Sequence, residues 1–374
     1  MNKRPANFSF HDKQYKVEYS WSLTLNQRPL GRPYFSNSKQ ENDQSFIISK
    51  HFGFMVCENY QASNVLSELQ TEKMQVTSMD YCTSREQLAA ITFSTGHILL
   101  INPTLRKRGK IVWLNSRKNI YSSKPPSVCR WVNENQFIVF FGDNFVWKFD
   151  KTLTGEDEKF IQAAQNNTRE CQKTIVCINH PAPEANPISL WKLQIGKVRD
   201  VQVAPGSRGN IICVLSEFDI KIIDLASSTV IITLGAYFAG FQCVTWSEDA
   251  KLLVAGGEDD CIHVWHTTNW NHVCKGQAHS SWVAGVLCKY KQGVYIVSSV
   301  GQDGKLCFWE IPEDDIDEGV VATGPLVEYP KKSMQKIIET SIEVKVSEEP
   351  LISVSLHNDC IFVCDVIGTV HMWV

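Results

Sequence analysis

The sequence predicts an all-β fold: a single ring of seven four-stranded sheets, a β-propeller, with surface-loop insertions at about 151–190 and 312–347. Three observations predict it. The segments Gly256-Gly257-Glu258-Asp259-Asp260-Cys261-Ile262-His263-Val264-Trp265 and Val300-Gly301-Gln302-Asp303-Gly304-Lys305-Leu306-Cys307-Phe308-Trp309 each place an Asp six residues before a Trp, with polar and apolar residues alternating between them. That is a tight turn followed by a half-buried strand. The two phrases lie 44 residues apart (309 − 265), the length of one propeller blade. The chain has 374 residues, 43% hydrophobic and 21% charged, and closed all-β folds of this size run as one unit, so residues 1–374 read as one domain.

The elements follow in chain order. A blade in 15–70 uses Tyr15 to Trp21, Phe46-Ile47-Ile48 and Phe54-Met55-Val56-Cys57. Val76 to Asn102 supplies Met79, Leu88-Ala89-Ala90-Ile91 and His97-Ile98-Leu99-Leu100-Ile101. Ser127 to Asp150 supplies Val128-Cys129-Arg130-Trp131, Phe137-Ile138-Val139-Phe140 and Val146-Trp147-Lys148-Phe149. Val198 to Leu225 carries Ile223 in the Trp slot, 42 residues before Trp265. The clearest unit, 239–279, has strands at Gln242 to Trp246, Lys251 to Gly256, Cys261 to Trp265 and Asn271 to Cys274, with Ser247-Glu248-Asp249-Ala250 as turn chemistry. Ser281 to Ile311 repeats it, and Leu351 to Val374 repeats it once more. The last segment stops after a third-type strand at Trp373. A ring must close to remove its sheet edges, so an N-terminal strand is expected to complete that blade. The polar 151–190, with Pro181, Pro183 and Pro187, and 312–347, with its acidic run Glu313 to Glu318, read as mobile surface loops.

Composition narrows the function classes. A net charge of −3 gives no strong pull towards nucleic acid or anionic membrane. The start, Met1-Asn2-Lys3-Arg4-Pro5, is followed by no apolar run, so no signal peptide is expected, and no stretch reaches the ~20 apolar residues of a membrane span. The 13 Cys include no CxxC pair, and Cys213, Cys243, Cys261, Cys288 and Cys307 fall inside strands, as small apolar fillers in a reducing compartment. No zinc site and no cofactor are expected, because ligand spacing is absent. Asn166-Asn167-Thr168 is a glycosylation sequon without meaning in a chain that is not secreted. The expected location is the cytoplasm, with the nucleus also open. Gly256-Gly257 and Gly301 serve turns, since no Lys-Ser or Lys-Thr follows them as a phosphate loop needs.

His279, Ser299, Asp303 and Trp309 occupy the positions of the hydrogen-bonded tetrad of strong WD repeats. A His–Ser–Asp set also suggests a hydrolase triad. Spacing tied to the repeat, and the lack of a Gly-rich nucleophile elbow, favour the turn anchor, with Trp309 ending the chain of bonds. The preceding blade keeps Asp259 and Trp265 as turn residues but has Ala255 in the Ser position. No catalytic residue is assigned, and an enzyme is not expected. Arg106-Lys107-Arg108-Gly109-Lys110 with Arg117-Lys118 is the one basic cluster; it brackets an outer strand, Ile111 to Leu114, and reads as a charge-protected edge. Phe238 and Trp282 stand just ahead of first strands and 44 residues apart (282 − 238). That places two large aromatics on adjacent blades of one face, a hot-spot pair for a protein partner.

These phrases carry a family resemblance. Ala236-Tyr237-Phe238-Ala239-Gly240, Cys243-Val244-Thr245-Trp246-Ser247, Gly256-Gly257-Glu258-Asp259-Asp260, His279-Ser280-Ser281-Trp282-Val283 and Ser299-Val300-Gly301-Gln302-Asp303, in this order, resemble the WD repeat-containing protein 20 family. That family also takes in the dystrophia myotonica WD-repeat protein and the fungal catabolite-repression protein CreC. Asn186-Pro187 with Trp191, Asn358-Asp359-Cys360-Ile361 and Trp373 fit the same pattern. The likeness runs weakly from about residue 12 and strongly over 186–311. It implies a non-enzymatic scaffold that binds and activates a ubiquitin-specific cysteine protease alongside a second WD-repeat cofactor, with Phe238 and Trp282 on the face that meets the protease. Two departures stand out: the long Ser-rich insertion is reduced to 312–347, and the chain ends at Trp373-Val374 without a Gly-Arg-Pro-like continuation. The rival readings are a peptide- or ubiquitin-binding adaptor using the channel mouth and an RNA-associated propeller using the 106–118 cluster, which would show steep salt dependence.

Overall fold

Strands b and c of a propeller blade are covered on both sides by neighbouring blades, so both of their faces must be apolar. The segment Leu252–Gly257 shows the consequence: every residue is buried. Leu253 and Ala255 point towards the preceding blade and join a core with Leu215, Ile222 and Trp265. Leu252 and Val254 point the other way and join Val286, Val297 and Trp309. The computed structural model describes the side chains of residues 74–82, 88–102, 120–168, 173–207, 209–235, 239–316, 336–356 and 360–372, with strand backbone in some segments before and between them.

Among the described residues six blades are present, here called A to F. Their first three strands are Val76–Tyr81, Ala89–Phe93 and Ile98–Ile101 in A; Pro126–Trp131, Gln136–Phe141 and Phe145–Asp150 in B; Val198–Val203, Ile211–Ser216 and Asp219–Asp224 in C. They continue as Phe241–Trp246, Leu252–Gly257 and Cys261–His266 in D; Val283–Lys291, Val294–Gly301 and Lys305–Pro312 in E; Leu351–His357, Cys360–Asp365 and Thr369–Trp373 in F. All pair antiparallel in sequence order. The outer strands are Val112–Trp113 in A, Thr229–Gly235 in C and His272–Gln277 in D. The core is a series of apolar layers between neighbours, one each for A–B, B–C, C–D, D–E and E–F.

Blade F is completed by a strand from the N-terminal part of the chain, as the sequence led one to expect. Tyr19–Thr24 pairs antiparallel with Thr369–Trp373 and becomes the outer strand of blade F. Tyr15 to Trp21 therefore does not open a blade of its own. Lys13–Val17 instead pairs with Ala6–Phe10 in a two-stranded ribbon. A further antiparallel set, Tyr34–Phe35, Ser45–Lys50, Gly53–Glu58 and Val65–Gln70, pairs in chain order.

Both insertions depart from the loop expectation. Within 151–190, Glu158–Arg169 is a helix, α1, whose Phe160 N–H is capped by the Asp157 carboxylate at 2.9 Å. Ile161 and Ala164, three residues apart, set one face of it into the A–B core beside Tyr121. Ser189–Leu193 then becomes the fourth strand of blade B and Ile175–Asn179 a fifth outside it. The 312–347 segment strings short strands along the blade rims: Val327–Glu328 parallel to the outer strand of C, Ile337–Ile338 parallel to that of D, and Ile342–Lys345 as the fourth strand of E. Unpaired outer strands recruit passing backbone because their edge N–H and C=O groups are otherwise unmet.

Candidate functional site: the loop face of blades C to F

Antiparallel order within a blade places the loop that enters its first strand beside the turn between its second and third. In blade E, Val283 stands opposite Gly301, and Gln302 N–H donates to the Trp282 carbonyl at 2.9 Å. Glu258 N–H donates likewise to Gly240 in blade D, and Val366 N–H to Pro350 in blade F, each at 2.9 Å. These loops and turns make one face of the ring.

On this face Asp303 anchors blade E. His279 Nδ1 lies 3.0 Å from Asp303 Oδ1, and its Nε2 lies 2.6 Å from Ser299 Oγ. A carboxylate only accepts, so Nδ1 carries a proton and donates; in the neutral ring Nε2 then accepts from the Ser299 hydroxyl. The Ser280 N–H also donates to Asp303, at 2.9 Å. Burial by itself would raise the Asp303 carboxyl, but these bonds and the Lys305 N–H outweigh it and hold the group below the usual carboxylate range. Gly301 makes the cluster possible: a Cβ there would sit 2.6 Å from His279 Nδ1 and 2.7 Å from Asp303 Oδ1. Trp309 is buried, with its ring centroid 6.2 Å from that of His279. Its Nε1 has no hydrogen-bond partner among the described residues, so the bonded set is His279, Asp303 and Ser299, and Trp309 contributes packing rather than the last bond. The cluster is inward and saturated, without a free nucleophile.

Blade D meets the same turn with different partners. Asp259 Oδ2 is 2.7 Å from Lys275 Nζ and 3.1 Å from His263 Nε2, and His263 Nδ1 is 3.3 Å from His272 Nε2. Burial would raise Asp259, but His263 and Lys275 bring it down to about 2. His272 is pushed down to about 3, first by burial and then by His263 and Lys275. Trp265 is fully buried, its ring stacked on His263 with centroids 5.8 Å apart.

Five large hydrophobic residues among those described are exposed, and three of them lie on this face: Trp282 at 43%, Phe218 at 76% and Ile367 at 55%. Trp282 is on the loop entering blade E, tied down by His279, by Ser280 and by its own carbonyl. Phe238 lies outside the described residues, as do Arg106 to Lys110, Arg117 and Lys118. Sequence reasoning passed over Phe218 and Ile367. The available signal was an aromatic and an isoleucine in turns that elsewhere hold Asp, Asn and Gly.

The first strands line a central cavity of about 270 Å³, with Thr77, Ser127, Gln202, Gln242 and Ser353 on its wall. Its charges are already matched, Arg130 against Asp200 and Arg199 against Glu258 at 2.7 Å. Among the described residues no three His, Cys, Asp or Glu converge as metal ligands, and no helix is long and apolar enough to cross a membrane.

No family model matches the chain. It is 23% identical over 333 residues to the UBP9-binding protein bun62 of Schizosaccharomyces pombe, across 76% of this chain and 60% of that protein. It is 24% identical over 204 residues to the WD repeat-containing protein 20 homolog of Caenorhabditis elegans, across 52% of this chain and 26% of that protein. The chain thus spans three-fifths or less of the curated relatives it matches. An all-β propeller, similar over 76% and 52% of its length to these two proteins, carries in its sequence and its relatives alike the resemblance to WD repeat-containing protein 20.

Proposed function

We propose that this chain is a non-catalytic WD-repeat scaffold that binds a ubiquitin-specific protease through its loop face and raises that protease's activity. The observation that carries the reading is similarity across 76% of the chain to a protein named for binding UBP9. Trp282 supports it from the geometry. A large aromatic, 43% exposed and held by a saturated hydrogen-bond cluster, enters an interface with little conformational entropy left to lose. Phe238, on the loop entering blade D, is its partner in the proposal. Activation requires that the propeller bind the competent state of the protease more tightly than the resting state.

The proposal extends to the whole ring. The sheet from Tyr34–Phe35 to Val65–Gln70 is the seventh blade, and residues 1–374 form one domain. The complex works in the cytoplasm and nucleus with a second WD-repeat cofactor. The test is co-purification of tagged protein from its native cells, read by mass spectrometry, with the Phe238→Ala/Trp282→Ala double variant beside it. A ubiquitin-specific protease in near-equal amount, lost in the double variant while the melting temperature holds, is the expected result. Equal recovery by both proteins overturns the proposed docking face.

A further inference from the structure

The turn between the second and third strands of blade C is one residue shorter than in the other five blades. The last paired residues flanking it, Leu215 and Ile220, are five apart in sequence. In blades A, B, D, E and F the corresponding pairs are Thr92 with Ile98, Phe140 with Val146, Gly256 with Ile262, Val300 with Leu306 and Cys364 with Val370, each six apart. Those five turns all pass through a left-handed residue: Gly96, Asn144, Asp260, Gly304 and Gly368, with φ of 86°, 64°, 63°, 72° and 96°. The blade C turn has none, and Phe218 stands in it at 76% exposure. No folding requirement accounts for a Phe there, since the position touches no core.

The Phe218 turn is also stiff. Ser216 Oγ donates to Asp219 Oδ1 at 2.5 Å and accepts from the N–H groups of Phe218 and Asp219, at 3.4 and 3.2 Å. Asp219 is further paired with Lys221. It adjoins the rest of the loop face: a Cβ on Gly240 would lie 2.5 Å from the Glu217 carbonyl oxygen, and the Gly240 carbonyl accepts from Glu258 in the blade D turn. Gly256, two residues before Glu258, packs against Val283, next to Trp282, so closely that a Cβ there would lie 2.5 Å from its Cγ1. Blades C, D and E are therefore in contact in turn, from the Phe218 turn to the strand that follows Trp282.

We infer that Phe218 is a third anchor for the same protease, extending the footprint onto blade C. This rests on the reading of the loop face as the protease-binding surface. The matching feature on the protease is an apolar pocket with a basic rim: Asp219 and Glu258 are neutralised by Lys221 and Arg199, whereas Glu217, half-buried beside Phe218, has no ion pair among the described residues.

The experiment titrates the purified protease that co-purifies with the wild-type chain against wild type, Phe218→Ala, Phe218→Leu, Glu217→Lys and Trp282→Ala by interferometry, with a thermal melt of each. Phe218→Ala is expected to weaken binding ten- to a hundredfold at an unchanged melting temperature. Phe218→Leu should recover most of the loss, and Glu217→Lys should slow association at low salt. Wild-type affinity in Phe218→Ala, with binding lost in Trp282→Ala, overturns this inference and leaves the loop-face reading intact. Wild-type affinity in both variants, or no ubiquitin-specific protease recovered with the wild-type chain, overturns that reading and this inference with it.

Discussion

Blades D and E carry nearly the same phrase and wire it differently. In E, Asp303 reaches back to the entering loop and holds His279 and Ser280; its side chain is 5% exposed. In D, Asp259 turns outward to His263 and Lys275 on its own sheet; its side chain is 18% exposed. The slot that holds Ser299 in E holds Ala255 in D, and no His precedes the first strand of D. The constant element is the Asp, although only in E does an N–H of the turn, that of Lys305, donate to its carboxylate. The partner is interchangeable, and its choice decides whether the neighbouring loop is fastened. Trp282 stands on a fastened loop.

That comparison can be broken by removing the Asp from each blade. Asp303→Ala should be the most damaging, lowering stability by about 3 kcal/mol in urea unfolding, since it strands a buried His and frees the loop at once. Gly301→Ala should fall in the same range, because its Cβ would enter the His279–Asp303 contact. Asp259→Ala should cost about 2 kcal/mol: Lys275 can turn to solvent, but the buried His263 Nε2 loses its partner, while no entering loop is freed. Ser299→Ala leaves His279 Nε2 without its partner and should cost about 1–2 kcal/mol. Equal losses for Asp259→Ala and Asp303→Ala would erase the distinction between the two blades.

Acid sharpens the comparison more gently. In the folded state His272 stays neutral down to about pH 3, whereas the unfolded chain binds a proton there below about 6.5. Its contribution is complete above pH 6.5 and is lost as the pH falls from about 6.5 towards 3. Asp259, depressed to about 2, contributes stability above about pH 4 that is lost between about 4 and 2. Urea midpoints measured from pH 7 to 4 should decline in wild type and decline less in His272→Phe. Parallel curves would contradict the assignment.

The sequence made the strands of blades A to F legible, because residues sandwiched between two apolar neighbours are written as unbroken apolar runs bounded by turn residues. It made His279, Ser299 and Asp303 legible as a set through the repeat spacing. Three things were hidden. Outer strands such as Ile175–Asn179 and Ile337–Ile338 are only half-covered, so their polar composition reads as loop. Helix α1 shows its inward face only through Ile161, Ala164 and neighbours among Gln and Asn. An N-terminal strand was expected in the last blade and is there, but its bounds, Tyr19–Thr24, were not legible, because the other strands of that sheet lie more than 300 residues away. Phe218 was overlooked because a one-residue shortening of a turn leaves the strand pattern on both sides intact.

The central claim is that the loop face, and not the opposite face or the rim, receives the protease. Hydrogen–deuterium exchange of the full chain, free and saturated with the co-purified protease, tests it directly. The account predicts slowed exchange at 217–219 and 280–283, with the opposite turns at 248–250 and 291–293 unchanged. Protection confined to those opposite turns or to the rim strand at 337–338, with 280–283 exchanging as in the free protein, would contradict it.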